Sequence, residues 1–253
     1  GKGHETIQEI GVKKIIFSDK KVILNAIKIK NLSLSNNLKF NILKELSEEK
    51  KLSSRITLKK AQINSKEIKK GDIFFAIKGK KNDGNKFISE AFNKKASIAI
   101  VNKISKNNNI KHQIKVRDSL KFLTQSSKVY RKNINTKIVA ITGSCGKTTL
   151  KELLGNSLKK LSKTSTSPKS YNNKYGVPLS LFNLNQKDDY GVLEIGMDKK
   201  GEIDYLSKIV QPDVSVITNI NYAHAKNFKN LKQIALAKSE IIHNTKDNGF
   251  IVL

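Results

Sequence analysis

One octapeptide limits what this chain can fold into more than any other feature: Thr142-Gly143-Ser144-Cys145-Gly146-Lys147-Thr148-Thr149. It follows the apolar run Lys137–Thr142, which reads as a buried strand. It precedes Leu150–Leu161, which reads as a helix with Leu150, Leu153, Leu154, Leu158 and Leu161 on one stripe. A strand, a glycine-bearing turn and a helix start, in that order, make a phosphate cradle. Glycine lets backbone amides approach phosphate oxygens, and the helix N-terminus adds partial positive charge. Gly143, Ser144, Cys145, Gly146, Lys147, Thr148 and Thr149 are therefore candidate ATP-binding residues, with Lys147 for the β/γ-phosphates and the Thr148 hydroxyl for Mg²⁺. The longer form of this pattern has glycine where Ile141 stands, so the loop is the shorter T-G-x-x-G-K-T-T type. The bland reading is a helix-start turn with a surface lysine. Cys145 reads as a small spacer rather than a nucleophile, since no histidine lies near it in sequence.

The pattern around this loop is layered α/β. Upstream, Ile73–Ile77 and Ile98–Val101 read as strands. Helices are expected over Leu38–Leu46, around Phe87–Phe92 and from Asp118 towards Tyr130, with a Lys/Asn-rich loop at 103–113. Downstream, Gly191–Ile195, Val214–Thr218 and Phe250–Leu253 read as strands, Glu202–Val210 and Leu231–Ile242 as helices, and 162–170 as a loop. Alternation of this kind predicts a mostly parallel sheet with helices on both faces. The expected fold class is α/β, a small α/β unit at 38–133 followed by an incomplete P-loop-type parallel sheet at 134–253. Residues 1–30, with a helix capped near Ser18-Asp19, are too short to bury a core, and 31–37 read as a linker.

The charge is +28, from 49 Lys+Arg against 21 Asp+Glu, yet only Arg55, Arg117 and Arg131 are arginines. Nucleic-acid readers favour the arginine fork and interleaved aromatics. Here aromatics are 6% and Trp is absent, so the lysines read as a solvated surface and a nucleic-acid partner is not expected. No apolar run approaches the roughly 18 residues of a membrane span. A single cysteine, Cys145, cannot form an internal disulfide, which fits a reducing, cytoplasmic compartment.

Three more residues are candidates for a metal site. Glu194 interrupts an apolar strand near its C-terminal end, the side where ligands gather in open parallel sheets, and a buried carboxylate needs a cation or donors. His224 follows the strand Val214–Thr218 on the same side, although a lone loop histidine is usually a surface residue. Lys238 falls in the middle of the helical stripe formed by Leu231, Ile234, Ala235, Ile241 and Ile242. Its ammonium either snorkels out or is compensated in a site; position alone leaves both open.

These stretches together resemble the Mur ligase family of ATP-dependent amide-forming enzymes of peptidoglycan precursor synthesis. The matching segments are ITGSCGKTTLKELL, YNNKYGVPLSL, VLEIGMDKKGEI, VITNINYAHAKNF and ALAKSEII, in family order, and NSKEIKKGDIFFAIKGKKNDGNKFISEAF resembles the family's uridine-nucleotide domain. The resemblance, over roughly 38–253, implies ATP and Mg²⁺ as cofactors and catalysis by Lys147, His224 and a CO₂-carbamylated Lys238. It also implies metal ligation by Thr148, Glu194, His224 and Lys238, and substrate contacts from Ser65, Asn172 and Asn173. The implied substrates are UDP-N-acetylmuramoyl-tripeptide and D-Ala-D-Ala, joined through an acyl phosphate.

Alternatives are another ligase of the superfamily (diaminopimelate-adding, folylpolyglutamate or cyanophycin type) and a basic P-loop nucleic-acid-binding protein. One departure is Asn64-Ser65-Lys66 where the family has Asp-Ser-Arg, which loses a bidentate guanidinium. The opening Gly1-Lys2-Gly3-His4-Glu5 and its tail resemble the end of the diaminopimelate-adding ligase, where Gly1 and Glu5 would help hold diaminopimelate. With no counterpart of the family's third domain in the sequence, the expectation is an internal piece of a fused two-ligase polypeptide, inactive alone.

Overall fold

The computed structural model describes residues 37–47, 56–79, 82–108, 110–222 and 227–253. The expectations for Gly1, Glu5, the Ser18-Asp19 helix, the linker up to residue 36 and His224 lie outside the described residues. Packing divides the described chain into two units: one runs to Asn135 and adds Pro178–Lys187, and the other takes Thr136–Val177 and Asp188–Leu253.

The first unit contains α1 (Leu38–Ser47), β1 (Ala61–Gln62), β2 (Ile73–Phe75), α2 (Ile88–Asn93), β3 (Ile98–Val101), β4 (Gln113–Lys115) and α3 (Ser119–Lys132). Its four strands are parallel in the order β1-β2-β3-β4. The all-buried runs Ile73–Phe75 and Ile98–Val101 are the central strands, as expected for a sheet covered on both faces. Phe74, Ala76, Ala99 and Val101 pack with Ile88 and Ala91 of α2 on one face. Asp118 caps α3 by accepting the amides of Leu120 and Lys121. Strands β1 and β4 escape a hydrophobicity reading because their sequences, AQ and QIK, hold almost no apolar run.

Pro178–Lys187 joins this unit through Phe182, which packs edge-on against Phe75 (centroids 6.2 Å apart) and Tyr130 (5.4 Å). The Tyr130 hydroxyl donates to the Leu184 carbonyl at 2.6 Å. Lys39 lies over both rings, 5.8 Å from the Tyr130 centroid and 5.7 Å from that of Phe182, and donates to the Lys59 carbonyl.

The second unit contains β5 (Lys137–Thr142), α4 (Lys147–Lys159), β6 (Thr164–Thr166), α5 (Gly176–Phe182, shared with the first unit), β7 (Tyr190–Glu194), α6 (Glu202–Val210), β8 (Val214–Ile217), α7 (Leu231–Ser239) and β9 (Phe250–Val252). Five parallel strands are ordered β6-β7-β5-β8-β9. The chain leaves β5 to one side for β6 and β7, then crosses to the other for β8 and β9. The topological switch point, where ligands bind in open sheets, is thus at the carboxyl end of β5.

The helix after β5 starts at Lys147, three residues before the leucine pattern shows it. Leu150, Leu154 and Leu158 pack on Val139, Ile141 and Val192, whereas Leu153 and Leu161 are exposed. Leu153 sits on the stripe's edge, and Leu161 lies beyond the last helical turn. The stretch 162–170, expected as loop, contains the edge strand β6; its Thr-Ser-Thr sequence is only half-buried and shows no apolar run. Among the described residues no helix is long and apolar enough to cross a membrane.

Burial and the nearby Lys60 hold the Lys39 ammonium down to about 8, against an ordinary 10.5. Between these values the unfolded chain keeps a proton that the folded one releases, so this group's contribution to stability rises with pH across that window. In a Lys39→Met protein, the gain in urea midpoint between about pH 7 and about pH 9.5 should be smaller than in the parent. An equal gain would remove this role for Lys39.

Candidate active site

Three strand ends converge on the glycine turn. Register places Glu194, the last residue of β7, beside Ile141 of β5, and Ile217 of β8 beside Thr142. The turn residues 143–146, the Glu194 carboxylate and the residues after β8 therefore share one edge of the sheet.

The turn needs its glycines for different reasons. Gly143 has φ +148°, and a Cβ there would collide with the Thr218 hydroxyl. Gly146 caps α4 at φ +79°, a conformation that costs little only for glycine. The loop is clamped from the β8 side. Ser144 donates its amide to the Asn219 carbonyl (3.0 Å) and its hydroxyl to the Asn221 carbonyl (2.8 Å). The Cys145 amide donates to Asn219 Oδ1 at 2.9 Å, and the Thr218 hydroxyl donates to the Cys145 carbonyl. Cys145 itself is exposed. Lys147 folds back over the loop, its Nζ donating to the carbonyls of Gly143 (2.8 Å) and Ser144 (3.3 Å). Thr149 is exposed on the next turn position.

Glu194 is 1% exposed. The Thr148 hydroxyl donates to its Oε2 at 2.7 Å, and Asn172 Nδ2 donates to its Oε1 at 2.7 Å. Its own amide donates to Ser167 Oγ. Every described partner of this carboxylate is neutral. A buried anion without a counter-charge is costly, and this one shares its neighbourhood with a threonine hydroxyl at a helix start. That donor set suits a hard divalent cation, which takes carboxylate, hydroxyl and water oxygens. The Thr142 hydroxyl adds a buried polar atom at the loop's root with no hydrogen-bond partner among the described residues.

Lys238 is 2% exposed, so the snorkelling option is not the one adopted. Burial and the charge of Lys147 lower its ammonium from 10.5 to about 8, while the Cys145 thiol acts in the opposite direction. The end of α7 is anchored by Glu240, whose carboxylate accepts the amides of Gly201 (2.8 Å) and Asp204 (3.1 Å) at the start of α6. An amine closer to neutrality is a better nucleophile than an ordinary lysine.

The remaining expected residues separate. Asn172 reaches Glu194, and its side chain packs where a Cβ on Gly196 would sit. Asn173 is a cap instead: its Oδ1 accepts the amides of Tyr175 and Gly176 at 3.0 Å, starting α5. Ser65 belongs to the other unit, in the turn Asn64-Ser65-Lys66, with its hydroxyl donating to Glu90 at 2.8 Å. Thr218, Asn219, Asn221 and Ser167 were not singled out by sequence reasoning. The first three could have been, because a polar run at the carboxyl end of a buried strand is where ligand-side residues collect. Among the described residues no cluster of three His, Cys, Asp or Glu forms a ready metal cage.

The Mur ligase middle-domain model matches residues 141–253, and the Mur ligase family catalytic-domain model matches 58–142. The chain belongs to the Mur ligase family. A Buchnera aphidicola UDP-N-acetylmuramoyl-tripeptide–D-alanyl-D-alanine ligase is 40% identical over 194 residues, 76% of this chain and 42% of the relative. The namesake from Bacillus subtilis is 33% identical over 190 residues, 75% of this chain and 42% of its own. The chain thus spans about two fifths of the length of these relatives. Among solved structures, MurF from Acinetobacter baumannii aligns with a TM-score of 0.73 at 34% identity, covering 83% of this chain and 47% of that one. Thermotoga maritima MurF in complex with ADP aligns at 0.66 and 35% identity, over 79% and 46%. Family membership covers both units of this Mur ligase chain.

Glu194→Gln removes the buried charge while keeping the side chain's shape. The unfolding midpoint should not fall, because an uncompensated anion has been replaced by an amide. A protein destabilised by about 3 kcal/mol or more, as for a broken buried ion pair, would show that Glu194 has a structural counter-charge.

Proposed function

We propose that this chain supplies the uridine-nucleotide and ATP-binding parts of a cytoplasmic ligase that adds D-Ala-D-Ala to UDP-N-acetylmuramoyl-tripeptide. The observation that carries the reading is the Thr148–Glu194 contact at the foot of the glycine turn, where a buried carboxylate has only neutral partners. The names of the relatives and the ADP bound to the Thermotoga neighbour support the substrate and nucleotide assignments.

Chemically, a carboxylate is a poor electrophile because its charge is delocalised and oxide is a poor leaving group. Its oxygen attacks the γ-phosphorus of ATP, the bond to the ADP oxygen breaks, and an acyl phosphate results. The free amine of D-Ala-D-Ala then attacks the acyl carbon; phosphate leaves, and the amine's proton is lost to solvent or a base. Loop amides and Lys147 bind the triphosphate, with Lys147 swinging from the carbonyls it now holds to the β/γ-oxygens. Thr148, Glu194, His224 and Lys238 are the residues that would hold Mg²⁺, which when bound neutralises phosphate charge and brings the acceptor carboxylate near. Carbamylation of Lys238 by CO₂ turns a buried cation into an oxygen ligand, for which a lowered ammonium pKa is favourable. Asn172 orients Glu194. Ser65, in a unit we assign to the uridine nucleotide at 38–133, lies on the turn that resembles the family's uridine contact. We assign Asn173 to the start of α5 rather than to direct substrate contact.

The test uses the intact protein with UDP-N-acetylmuramoyl-tripeptide, ATP and Mg²⁺. Phosphate release should depend on D-Ala-D-Ala and not on glutamate or diaminopimelate; release with another amino acid instead would replace this substrate assignment. Lys238→Ala should lower turnover by at least about a hundredfold, the loss typical of a missing group that stabilises developing charge, with partial return on adding formate or acetate. Undiminished turnover would remove the carbamate.

A further inference from the structure

Among the described residues, Lys151 is the only charged side chain with no exposed surface at all. It sits one turn after Lys147 on α4, between Leu150 and Leu154, where an apolar residue would fill the space without burying charge. Its Nζ donates to the Lys169 carbonyl at 2.5 Å and lies 3.1 Å from Glu152 Oε1. Glu152 is half exposed, so its attraction is partly screened and the carbonyl is the closer partner.

That carbonyl belongs to a residue in an unusual state. Lys169 has φ +49°, the left-handed region that residues other than glycine adopt only when held there. The held turn is part of the loop 167–173, and this loop meets Glu194 at both ends. Ser167 Oγ accepts the Glu194 amide at 3.2 Å, and Asn172 Nδ2 donates to Glu194 Oε1 at 2.7 Å. The Gly196 amide, just past Glu194, donates to the Asn172 carbonyl at 2.8 Å. Lys151 is thus tied to α4, the helix that presents Thr148 to one oxygen of Glu194. Through the loop it is also tied to the asparagine that holds the other.

We propose that Lys151 is a positioning residue for Glu194: its buried ammonium pins the left-handed turn at Lys169 and so sets Asn172 against the carboxylate that would receive Mg²⁺. This rests on the nucleotide and metal reading given above. It goes beyond that reading in assigning a role to a lysine that touches neither nucleotide nor metal. Without the pin the loop can relax, Asn172 can leave Oε1, and the carboxylate loses the orientation that matches Thr148.

The experiment is calorimetric titration of ADP into the intact protein over a series of Mg²⁺ concentrations. Lys151→Met should raise the Mg²⁺ concentration for half-maximal strengthening of ADP binding by about tenfold, the lower range for loss of a group that orients a metal ligand. Affinity for ADP without Mg²⁺ should stay at the parent value, which general damage to the unit would not allow. Asn172→Ala should produce a similar shift, and the double variant should be no worse than Asn172→Ala alone, as expected of residues acting in series. Lys151→Arg, which keeps a charged donor, should recover part of the shift.

A parent-like Mg²⁺ requirement in Lys151→Met, or shifts that add in full in the double variant, would overturn the proposal. So would failure of both Lys151→Met and Lys151→Gln to fold, since Lys151 would then be a core residue. A parent protein that binds no Mg·ADP would instead overturn the nucleotide reading itself.

Discussion

A carboxylate taken out of water at the end of a strand is unstable company for an apolar sheet, and the second unit is arranged around that fact. Glu194 cannot reach solvent, so its oxygens must be met from inside. The Thr148 hydroxyl meets one and the Asn172 amide the other. Each donor comes from a different connection, Thr148 from the helix after β5 and Asn172 from the loop after β6. The parallel order β6-β7-β5 makes this meeting possible, because it brings the carboxyl ends of all three strands to one edge. Had β7 paired antiparallel, Glu194 would lie at the opposite edge from the glycine turn.

The same edge concentrates positive charge with little room for it. Lys147 lies folded on its own loop, Lys238 is buried and feels its charge, and Lys151 is buried one turn further along the helix. The charge of Lys147 disfavours the charged form of Lys238, and burial adds to that cost. Backbone carbonyls accept from Lys147 and Lys151, while Lys238 carries the lowered pKa. In the function we propose, a triphosphate relieves such an arrangement by drawing Lys147 off the carbonyls of its own loop. The clamp from Thr218, Asn219 and Asn221 keeps the loop in shape meanwhile, which favours preorganised binding over loop ordering on contact.

Much of this was open to a reader of the chain alone. The strand–turn–helix order around Gly143–Thr149, the core strands Ile73–Phe75 and Ile98–Val101, and the place of Lys238 within an apolar helical stripe follow from apolar periodicity and glycine placement, which are local properties; that Lys238 is buried rather than snorkelling does not. Elements held mainly by neighbours were not legible. The strands β1, β4 and β6 are short and polar because the sheet supplies their partners, and Leu153 and Leu161 sit outside the packed stripe because the helix is placed by the sheet and ends at Lys159. Of the adjacent Asn172 and Asn173, sequence treats both alike; one turns towards Glu194 and the other caps α5, a division made by the path of the loop.

By itself the sequence determined which groups exist for phosphate and metal chemistry and roughly where each falls on strand, turn or helix, because hydrophobic period and glycine act over a few residues. Only the tertiary structure decided which of them meet. The contacts of Glu194 with Thr148 and Asn172, and of Lys151 with the Lys169 carbonyl, span 46, 22 and 18 positions of chain. Contacts at such separation are set by strand order and register, and no local pattern encodes them.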